Sequence, residues 1–514
     1  MSKTIIIIGA GLAGLSAALQ AAENGCNVKL VSFLPSERAQ SVMAEGGINA
    51  ALNTKDENDS PEEHFTDTIK AACGLADPNA VWGMTQAAPE LVHWLLKLGV
   101  KFNMSGYDDV DLRNFGGQKK KRTAFAQSDT GKQIMTAMID AVRRKEASGM
   151  VERFSHHSFL TLRLCGNICC GCVIRDEYSQ ETVELPGDAV IVASGGMHGL
   201  FGNTTGSLSN TGEVTAELFR LGVPLANGEM IQYHPTTVKC GGKRILISEA
   251  ARGEGGRLFA MKDGKQWYFM EEKYPELGNL MPRDITAREI WKVSHESEVF
   301  LDMTEISEEI ISNKLSGLAD DCMTYLHKDI RKEPVSVLPG IHYFMGGILV
   351  DEQHRTPIQN LYAAGECCAQ YHGANRLGGN SLLGALYGGR VAAKSACEQA
   401  DVVDLSCATQ IDFPPASQIS EIKQLNKVMQ ETMGVVRNEN TLLNGIQTVQ
   451  ALTGNLPLLG MAVLKSALAR KESRGAHWRE DYPKSNDNDY LKTTVARFDG
   501  KQIQISFVPV PERR

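Results

Sequence analysis

The sequence predicts an α/β protein in which a Rossmann-like nucleotide-binding domain is interrupted by an inserted α+β domain. Residues 5–31 show a buried strand, a G-x-G-x-x-G turn, a helix and a second strand in immediate succession. Two further apolar strands that end in small residues, at 183–196 and 358–366, favour a sheet assembled from distant parts of the chain. The intervening residues 236–340 are mixed and charged, as expected of an inserted unit.

Length and composition allow several domains and disfavour some classes of function. A chain of 514 residues is too long for one core, so about two to four domains are expected. Hydrophobic content of 42% and charged content of 22% are ordinary for a globular protein. The net charge of −8 argues against nucleic-acid binding. Twelve scattered cysteines do not suggest a disulfide framework and indicate a reducing compartment.

The first element resembles a membrane span or a signal peptide in composition, because residues 4–22 carry no charge. Four consecutive β-branched residues, 5–8, followed by three glycines argue against a single helix, and no basic segment or cleavage site accompanies them. We expect a buried parallel strand, then a helix that ends at Gly25, then a second strand over 28–31. Contact with a membrane would therefore require another component.

The glycine fingerprint has a physical reason at each position. Gly9 permits the tight turn, Gly11 lets the backbone approach a pyrophosphate, and Gly14 lets the helix pack on the sheet. The helix N-terminus supplies N–H groups and positive potential for phosphates. A glycine-rich turn without a ligand is the alternative. The second strand ends in Ser32 where an acidic residue is expected, so a ribose contact would keep a hydroxyl without the charge. The expected contacts here are Gly9, Gly11, Leu12, Ala13, Gly14 and Ser32.

The nucleotide is expected to be FAD. A flavoenzyme that takes electrons from NADH usually carries a second glycine fingerprint, and this sequence shows none. A disulfide reductase would need an early redox cysteine pair, but only Cys26 and Cys73 precede residue 160. The second electron partner is therefore not expected to be a nicotinamide domain in this chain.

The remaining chain completes a five-segment organisation. Apolar residues at helical spacing, among them Ile419, Leu425 and Met429, predict a C-terminal helical domain. The last forty or so residues suggest strands and irregular structure. The predicted segments are an FAD-binding domain over 1–235 and 341–410, an inserted α+β domain over 236–340, a helical domain over 411–475 and a short C-terminal extension over 476–514.

Four segments then reveal a resemblance to a known family. They read RAQSVMAEGGINAALNT, QYHPTTV…ISEAARGEGG, MPRDITARE, and HYFMGG…AAGECCAQYHGANRLGGNSLLGALYGG. Together they resemble the flavoprotein subunit of succinate dehydrogenase and fumarate reductase, with L-aspartate oxidase as a close relative. The resemblance covers residues 1 to about 400 and resumes at 473–483. These motifs are far more specific than the glycine fingerprint.

The resemblance implies a four-carbon dicarboxylate as substrate. Arg376 in HGANRLGGNS matches the family arginine that clamps one carboxylate, a task that suits a guanidinium fork. His342 and His234 match two further carboxylate contacts, and Ser248 adds a hydroxyl donor. Taken alone, each histidine is more often a structural residue. Phe115 and Gly47 complete the substrate contacts that we expect.

The implied chemistry is hydride transfer through flavin N5, with proton transfer at the neighbouring substrate carbon. The matching acid is Arg283 in PRDITARE, although a free arginine has a pKa above about 12. It can act only if carboxylates polarise it and the site excludes water. Glu249 and Arg252, three residues apart on one helical face, match the family's proton path; a surface ion pair is the alternative. The inserted domain corresponds to the family's capping domain, which would carry Arg283 into place.

The resemblance also implies further contacts with FAD. Glu366 in AAGE matches the residue on the FAD ribose, while Glu213 stands where the family usually has Asp. Ser381 and Leu382 would open a helix whose positive end faces the flavin pyrimidine ring. The other contacts that we expect are Gln40, Ser41, Ala44, Gly46, Gly47, Ala193, Gly195 and Arg376.

One position departs from the family pattern. Most members carry a His two residues after the Arg of the first segment, and that His is bonded covalently to the flavin. Counting from Arg38, this chain has Gln40, which cannot form the bond. We therefore predict tightly held but extractable FAD. Because the covalent bond tends to raise the flavin potential, its loss should favour fumarate reduction over succinate oxidation.

Two other motifs are interpreted without a functional role. Cys165, Cys169 and Cys172 have a spacing that can ligate an iron–sulfur cluster. On a regular strand, however, Cys169 and Cys172 would point to opposite faces, so no metal is expected. The basic run KKKR at 119–122 is interpreted as a solvated loop, a docking surface or an electrostatic aid to a dianionic substrate.

Within the family, Phe115 favours succinate and fumarate over aspartate. In aspartate oxidase an acidic residue precedes the Gly-Gly of this loop, and an apolar ring would leave the substrate ammonium unpaired. L-Aspartate oxidase, which acts in NAD biosynthesis and also lacks the covalent bond, remains the alternative. A non-catalytic electron-relay subunit is disfavoured by the presence of Arg283, Arg376 and His342. The resemblance further implies an iron–sulfur subunit as partner and a cytoplasmic location, with attachment to the inner face of the membrane through a quinone-reactive subunit left open.

Overall fold

The computed structural model describes residues 2–107, 109–400, 411, 413 and 418–514. Its strands are β1 (Thr4–Ile8), β2 (Asn27–Ser32), β3 (Ile48–Asn49), β4 (Leu112–Arg113), β5 (Thr123–Ala124), β6 (Val151–Ser155), β7 (His157–Cys165), β8 (Ile168–Asp176), β9 (Thr182–Pro186), β10 (Ala189–Val192), β11 (Leu225–Ala226), β12 (Ile231–Cys240), β13 (Lys243–Leu246), β14 (Arg257–Lys262), β15 (Lys265–Trp267), β16 (Val299–Asp302), β17 (Val335–Ser336), β18 (Leu338–Phe344), β19 (Gly347–Leu349), β20 (Leu361–Ala363), β21 (Cys368–Ala369), β22 (Lys492–Phe498) and β23 (Ile503–Pro509).

The helices follow the same chain order. They are α1 (Leu12–Glu23), α2 (Pro61–Ala71), α3 (Pro78–Leu98), α4 (Thr130–Ala147), α5 (Glu213–Arg220), α6 (Glu249–Gly253), α7 (Phe269–Lys273), α8 (Arg283–Val293), α9 (Glu308–Lys314), α10 (Ser316–Asp321), α11 (Asn380–Gln399), α12 (Ile419–Thr432), α13 (Glu439–Val449), α14 (Asn455–Ala469) and α15 (Asp487–Tyr490).

A five-stranded parallel sheet forms the centre of the nucleotide-binding fold, in the order β20-β10-β1-β2-β6. Strand β1 pairs with β10 on one side and β2 on the other, and β20 joins from more than 160 residues beyond β10. The run of isoleucines in β1 is buried on both faces, as a central parallel strand requires. The predicted strand–turn–helix–strand unit and the discontinuous sheet are therefore confirmed.

The region predicted as one strand over 183–196 contains two strands in different sheets. Strand β9 pairs antiparallel with β8, whereas β10 joins the central parallel sheet. Gly187 lies in the turn between them, where a Cβ atom would come within 2.8 Å of the Ile6 side chain. The predicted buried strand that ends in small residues is β10, and the apolar character continues back through this tight crossing into β9.

Two smaller sheets and several short helices cover the C-terminal edge of the central sheet. Their strand orders are β13-β12-β18 and β15-β14-β16-β17, and α8 packs against β12. A separate apolar cluster, which includes Ile247, Leu258, Ile290 and Leu301, forms their core. This arrangement agrees with an inserted capping unit, although the predicted boundaries 235/236 and 340/341 fall inside β12 and β18.

The C-terminal region packs helices against the end of the cofactor fold. Helices α12, α13 and α14 share an apolar core with α5 and with β22, and this core includes Leu425, Met429 and Leu459. Strands β22 and β23 extend a sheet of order β21-β19-β11-β22-β23. The predicted helical spacing and the strands of the extension are confirmed, while the predicted junction at 410/411 falls largely outside the described residues.

The membrane interpretation of residues 4–22 is resolved by the fold, since this stretch forms β1 and α1. Across the described part of the chain, the structure contains no helix both long enough and apolar enough to cross a membrane.

Candidate active site

A deep cavity of about 580 Å³ runs from the glycine turn after β1 to the junction between the central sheet and the capping strands. Its wall brings together residues more than 300 positions apart in sequence. Most of the predicted cofactor contacts line it: Gly9, Gly11, Leu12, Ala13, Ser32, Gln40, Ser41, Ala44, Gly46, Gly47, Ala193, Gly195, Glu213, Glu366, Arg376, Ser381 and Leu382.

The glycine turn is built as the fingerprint requires. Gly9 has φ of 112°, and a Cβ atom there would lie 2.2 Å from the carbonyl oxygen of Ala193. Gly14 faces away from the cavity, where a Cβ atom would lie 1.8 Å from the Gly9 carbonyl oxygen. At Gly11 a Cβ atom would meet nothing closer than Ser41 Oγ at 3.6 Å, so this glycine leaves room for a ligand. The turn therefore provides the close backbone approach that a dinucleotide needs.

The wall offers polar groups that fit the rest of FAD. The buried hydroxyl of Ser32, at the end of β2, has no hydrogen-bond partner among the described residues and faces the cavity where a ribose is expected. Glu366 Oε1 accepts a hydrogen bond from the Phe344 backbone N–H at 3.1 Å. Burial raises the pKa of the Glu213 carboxyl. Helix α11 begins at Asn380, so Ser381 and Leu382 lie in its first turn and its positive end faces the cavity.

Gln40 lies at the position where most members of the resembled family have the flavin-linked histidine. Its side-chain Oε1 accepts a hydrogen bond from the Ser207 backbone N–H at 2.6 Å. The amide therefore holds the loop at 204–207 against the cavity wall. Gln40 therefore has a partner in Ser207, and this contact helps to hold the loop around Gln40 although the flavin-linked histidine is absent.

The predicted substrate residues converge at the capped end of the cavity. Arg376 is 2% exposed, stacks on the Tyr343 ring at 4.3 Å, and has an Nε atom without a hydrogen-bond partner. The rings of His234 and His342 lie edge to face at 5.1 Å, and His234 Nε2 also lacks a partner among the described residues. A dianionic ligand would satisfy the Arg376 N–H, and also His234 Nε2 in the tautomer that carries its proton there.

Both histidines are held neutral. Burial, followed by the positive charge of Arg283, lowers the pKa of each ring well below its usual value. Burial also lowers the pKa of Arg376, to about 9, with Arg283 as the next cause. The cations at this end of the cavity are Arg283 and Arg376, and nearby carboxylates balance only part of their charge. This favours an anionic ligand.

Phe115 and Ser248 close two sides of this end. Phe115 is buried, and its ring lies against Gly46 and Gly378, where any Cβ atom would come within 3.0 Å of it. Ser248 caps α6 through its hydroxyl, which accepts a hydrogen bond from the Ala250 N–H at 3.4 Å. Gly47 has φ of 138° and packs on the Ala124 carbonyl. Phe115, Ser248 and Gly47 mainly determine the shape of the cavity here. They make it a narrow, largely apolar slot between charged ends.

An unbroken ionic chain leads to the cavity from behind. Arg283 Nε donates to Glu249 Oε2 at 2.8 Å, and its NH2 group donates to the same oxygen at 2.5 Å. Glu249 Oε1 lies 3.3 Å from Arg252 NH2 and accepts a hydrogen bond from the Gly116 N–H. Arg252 does not line the cavity and is fully covered. The pair is therefore buried, which excludes the exposed ion pair that the sequence left open.

Glu249 is held as a carboxylate. Burial alone would raise its pKa, but the charges of Arg283 and Arg252 and the hydrogen bonds from Arg283 and the Gly116 N–H outweigh that effect, so the pKa lies below its usual value. The same burial lowers the pKa of Arg252. Along the row Arg283, Glu249 and Arg252 the charges alternate in sign. This arrangement lowers the cost of moving a proton between neighbouring side chains.

Three residues of this site were missed by sequence reasoning. Gln232 Oε1 accepts a hydrogen bond from Arg283 NH1 at 3.0 Å, and its Nε2 donates to the Arg376 backbone carbonyl at 2.8 Å. It lies two positions before His234 on β12, and this spacing places both on one strand face, so the signal was present. Thr205 Oγ1 lies 2.8 Å from His342 Nδ1, and Glu45 lines the cavity; neither had a sequence signal.

Glu45 should make stability depend on pH. Burial, with the negative charge of Asp321 second, raises its pKa from 4.5 to about 8. Between those values the folded protein binds more protons than the unfolded chain, so the stability contributed by this group falls as pH rises from 4.5 to about 8. We expect Glu45→Gln to flatten that fall and to raise the melting temperature above pH 8, measured by scanning calorimetry.

Glu37→Gln is the matched control, since Glu37 is an exposed glutamate that forms a surface pair with Arg143. Its melting profile against pH should follow that of the wild type. A Glu45→Gln profile as steep as that of the wild type would show that this carboxyl is not protonated near neutral pH.

The cysteine motif requires a correction. The pairing of β7 with β8 places Leu162 opposite Cys172 and Leu164 opposite Cys169, with one extra residue in β8. This bulge turns Cys169 and Cys172 to the same face, not to opposite faces as predicted, and both are buried in one apolar cluster. Burial raises the pKa of the Cys169 thiol to about 12. Within the described residues, no three His, Cys, Asp or Glu side chains are placed to hold a metal ion.

The basic run also differs from its interpretation. Lys119 and Lys121 are exposed, but Arg122 is fully buried and pairs with Asp59 and Asp67, each at 2.9 Å. The last residue of the run is therefore part of the core rather than of a solvated or docking surface. The sequence pattern did not show it, because the two aspartates lie more than 50 residues earlier.

Two known protein families match the chain. The FAD binding domain family matches residues 4–382, and the family described as fumarate reductase flavoprotein C-term matches residues 452–513. Together with the cavity, these matches define an FAD-dependent oxidoreductase.

Whole-length relatives agree. The chain is 37% identical to the succinate dehydrogenase flavoprotein subunit of Bacillus subtilis over 100% of its own length and 98% of that protein. It is 33% identical to the L-aspartate oxidase of Pyrococcus furiosus over 96% and 98% of the two chains. The structure superposes on a variant of E. coli quinol fumarate reductase FrdA with a TM-score of 0.90, at 27% identity and coverage of 99% and 97%. The chain therefore belongs to the succinate dehydrogenase/fumarate reductase flavoprotein family.

Proposed function

We propose that this protein interconverts fumarate and succinate with bound FAD, as the flavoprotein subunit of a larger complex. The observation that carries the proposal is Arg283, placed at the cavity on a buried chain to Glu249 and Arg252 and opposite the cationic Arg376. Bound FAD would exchange hydride at N5 with one substrate carbon.

A dicarboxylate fits the donors at this end of the cavity. Arg376 and the two neutral histidines would hold the carboxylates, because their buried N–H groups are unpartnered or face the cavity. Tyr343 keeps the Arg376 guanidinium flat against its ring, so the fork is oriented before the substrate arrives. Phe115 covers the apolar middle of the substrate and excludes water.

The chain's own residues would move the proton. Arg283 would give a proton to the substrate carbon next to the one that receives hydride, and Glu249 would return a proton to it from Arg252. Gln232 fixes the remaining arm of the Arg283 guanidinium, which orients the acid toward the cavity. In the reverse direction Arg283 would accept the proton, by microscopic reversibility.

The cofactor is proposed to be held without a covalent bond, because Gln40 offers an amide that already bonds Ser207. We expect acid precipitation of the holoprotein to release all flavin into the supernatant and leave a colourless pellet. Absorbance and fluorescence of the two fractions measure this directly. A yellow, fluorescent pellet would show that another residue bonds the flavin.

Electrons would then pass to a partner subunit. The Bacillus subtilis relative is named as a subunit, and we infer an iron–sulfur protein as the partner, with attachment to the cytoplasmic face of a membrane through it. Met43, which lines the cavity together with Gln40, is 60% exposed, so a flavin bound at this part of the wall would lie close to a partner's approach. Co-purification of an iron–sulfur subunit with the native protein tests this part of the proposal.

L-Aspartate oxidation is the second candidate, and Glu45 is the observation that favours it. This carboxyl lines the cavity and could accept a hydrogen bond from a substrate ammonium. Its raised pKa of about 8 leaves it neutral near pH 7, which weakens such a contact. Phe115, where an acidic group would be needed, opposes it further.

A substrate panel separates the two. Purified holoprotein should reduce fumarate with reduced viologen and oxidise succinate with an artificial acceptor, and it should leave L-aspartate unchanged. Oxidation of aspartate without fumarate reduction would establish the second candidate. Activity with none of the three substrates would overturn both.

A further inference from the structure

His198 is a fully buried histidine beside the cavity that the proposed chemistry does not use. It begins a short turn, His198–Leu200, just after the strand that ends at Val192. Its Nδ1 lies 3.0 Å from Thr204 Oγ1, and its Nε2 lies 3.6 Å from Glu366 Oε1. The Phe344 ring meets it edge on, with centroids 4.9 Å apart. It therefore touches both a predicted cofactor residue and a loop of the substrate end.

The hydrogen bonds determine which ring nitrogen carries the proton. Thr204 Oγ1 already accepts a hydrogen bond from the Gly206 N–H at 3.1 Å. Its own hydroxyl hydrogen is then free to be donated to His198 Nδ1. This donation, together with the facing Glu366 carboxylate, favours the neutral tautomer that carries its proton on Nε2, which has no hydrogen-bond partner among the described residues. An N–H dipole aimed at a carboxylate stabilises and orients that carboxylate.

The loop that His198 holds reaches three other parts of the site. Thr205 Oγ1 lies 2.8 Å from His342 Nδ1, and the Thr204 carbonyl accepts a hydrogen bond from the Arg244 N–H of the capping hairpin at 3.4 Å. The Ser207 N–H donates to Gln40. A shift at Thr204 would therefore reach the ring of His342, which is proposed to bind a substrate carboxylate.

We propose that His198 is a positioning residue that couples the two ends of the site. Through Nε2–H it keeps the Glu366 carboxylate directed for the FAD ribose, and through Nδ1 it fixes the 204–207 loop and thereby His342. The substrate half of this inference rests on the proposed function, whereas the FAD half does not. Neither half needs His198 to touch a reacting atom.

Two substitutions separate the two contacts. In His198→Asn the short amide can keep a partner for Thr204 near the Nδ1 position but does not reach Glu366. In His198→Gln the longer amide can place an N–H near the Nε2 position but loses the Nδ1 acceptor. His198 Nε2 lies 3.6 Å from Glu366 Oε1, too far for a direct hydrogen bond, so its effect on that carboxylate is electrostatic. We expect His198→Asn to raise the Kd for FAD about threefold or more with the fumarate KM nearly unchanged. His198→Gln should raise the fumarate KM and leave the Kd for FAD nearly unchanged. His198→Ala should raise both the Kd for FAD and the fumarate KM.

Two of the measurements, the Kd for FAD and the Kd for succinate, do not require turnover. The Kd for FAD is obtained by titrating the apoprotein and following the quenching of flavin fluorescence. The Kd for succinate is obtained from the perturbation of the flavin absorption spectrum, beside the KM and kcat for fumarate. Loss of fold alone would lower thermal stability without separating the two constants.

A second variant reaches His198 without changing it. A Cβ atom at Gly206 would lie 2.2 Å from the His198 ring, so Gly206→Ala should displace the ring and reproduce the His198→Ala effects. His354→Gln is the matched control: His354 is equally buried and bonds the Ala363 carbonyl and the Tyr371 hydroxyl, but it does not line the cavity. It should lower stability and leave both constants within about twofold of the wild type.

The outcomes decide the inference. Wild-type constants in the Asn, Gln and Gly206→Ala variants, or equal changes of both constants in Asn and Gln, would overturn it. If the Kd for FAD changes as expected but the wild type reduces no fumarate, the proposed function fails while the cofactor half of the inference stands. If His198→Ala does not fold, the comparison of His198→Asn with His198→Gln still tests the inference.

Discussion

Arg283→Ala is expected to abolish fumarate reduction and to leave FAD bound. The guanidinium donates two hydrogen bonds to Glu249 and one to Gln232, and it is the cation of the buried chain that reaches the cavity. Without it the buried chain no longer presents a proton donor to the cavity, and Glu249 loses one of its two cationic neighbours. We expect kcat to fall at least about 10³-fold, at the upper end of what one proton donor contributes. Steady-state rates with reduced viologen and the flavin-to-protein ratio measure the two parts of this result.

The control for Arg283→Ala lies on the same helix. Arg288 is half-buried, and its guanidinium stacks on Trp478 at 4.0 Å, outside the cavity. Arg288→Ala should lower stability slightly and retain kcat. A lysine at position 283 is a second comparison, because it keeps the charge but loses the two-arm contact with Glu249. Turnover at the wild-type rate in Arg283→Ala would remove the arginine from the mechanism.

Much of the fold could be predicted from sequence, because its main signals are local. The run of isoleucines in β1, the glycines that follow, and the helix to Glu23 are contiguous, and each has one physical reason. The grouping of Arg283 and Arg376 at one end of the cavity could be predicted only by resemblance, and Gln232, which bonds both, was missed. The three residues come from separate elements, and no spacing links them.

The errors share a cause. The bulge that brings Cys169 and Cys172 to one face is a property of the pairing with β7, and the burial of Arg122 depends on Asp59 and Asp67. Neither is visible in the local sequence, since strand pairing and ion pairing depend on contacts that folding brings together. In this chain, the burial of charged side chains is therefore the feature that the local sequence predicts least well.

The motif at 473–483 shows the same point outside the cavity. The sequence showed only that it resembles the family, and its residues build a buried ionic junction. Arg474 pairs with Glu472 at 2.8 Å, and the His477 ring lies 2.9 Å from Arg437 NH1 and 3.1 Å from the Arg470 carbonyl. The contacts of His477 connect this segment to the end of α14 and to Arg437 between α12 and α13.

Arg470 is the centre of that junction, and Arg470→Met is expected to cause the largest loss of stability. Its five N–H donors meet five acceptors: Glu229, Glu472, Thr494 and the carbonyls of Tyr490 and Lys492, all at 2.7 or 2.8 Å. Arg470, Glu229 and Glu472 are each 0% exposed. Methionine fills the volume but leaves Glu229 buried, with the Thr494 hydroxyl as its only side-chain donor among the described residues. We expect a loss of about 3–5 kcal/mol in the free energy of unfolding.

Burial, rather than distance, should decide the size of this effect. Arg331 and Glu308 lie 2.8 Å apart, as close as the buried pairs, but both are exposed, so Arg331→Met should cost at most about 1 kcal/mol. The double variant Arg470→Met/Glu229→Gln should recover part of the loss, because it also removes the unpaired charge. Urea midpoints of the four proteins, with the wild type included, provide the comparison. Equal losses in Arg470→Met and Arg331→Met would mean that the junction is hydrated in solution and contributes no more than a surface pair.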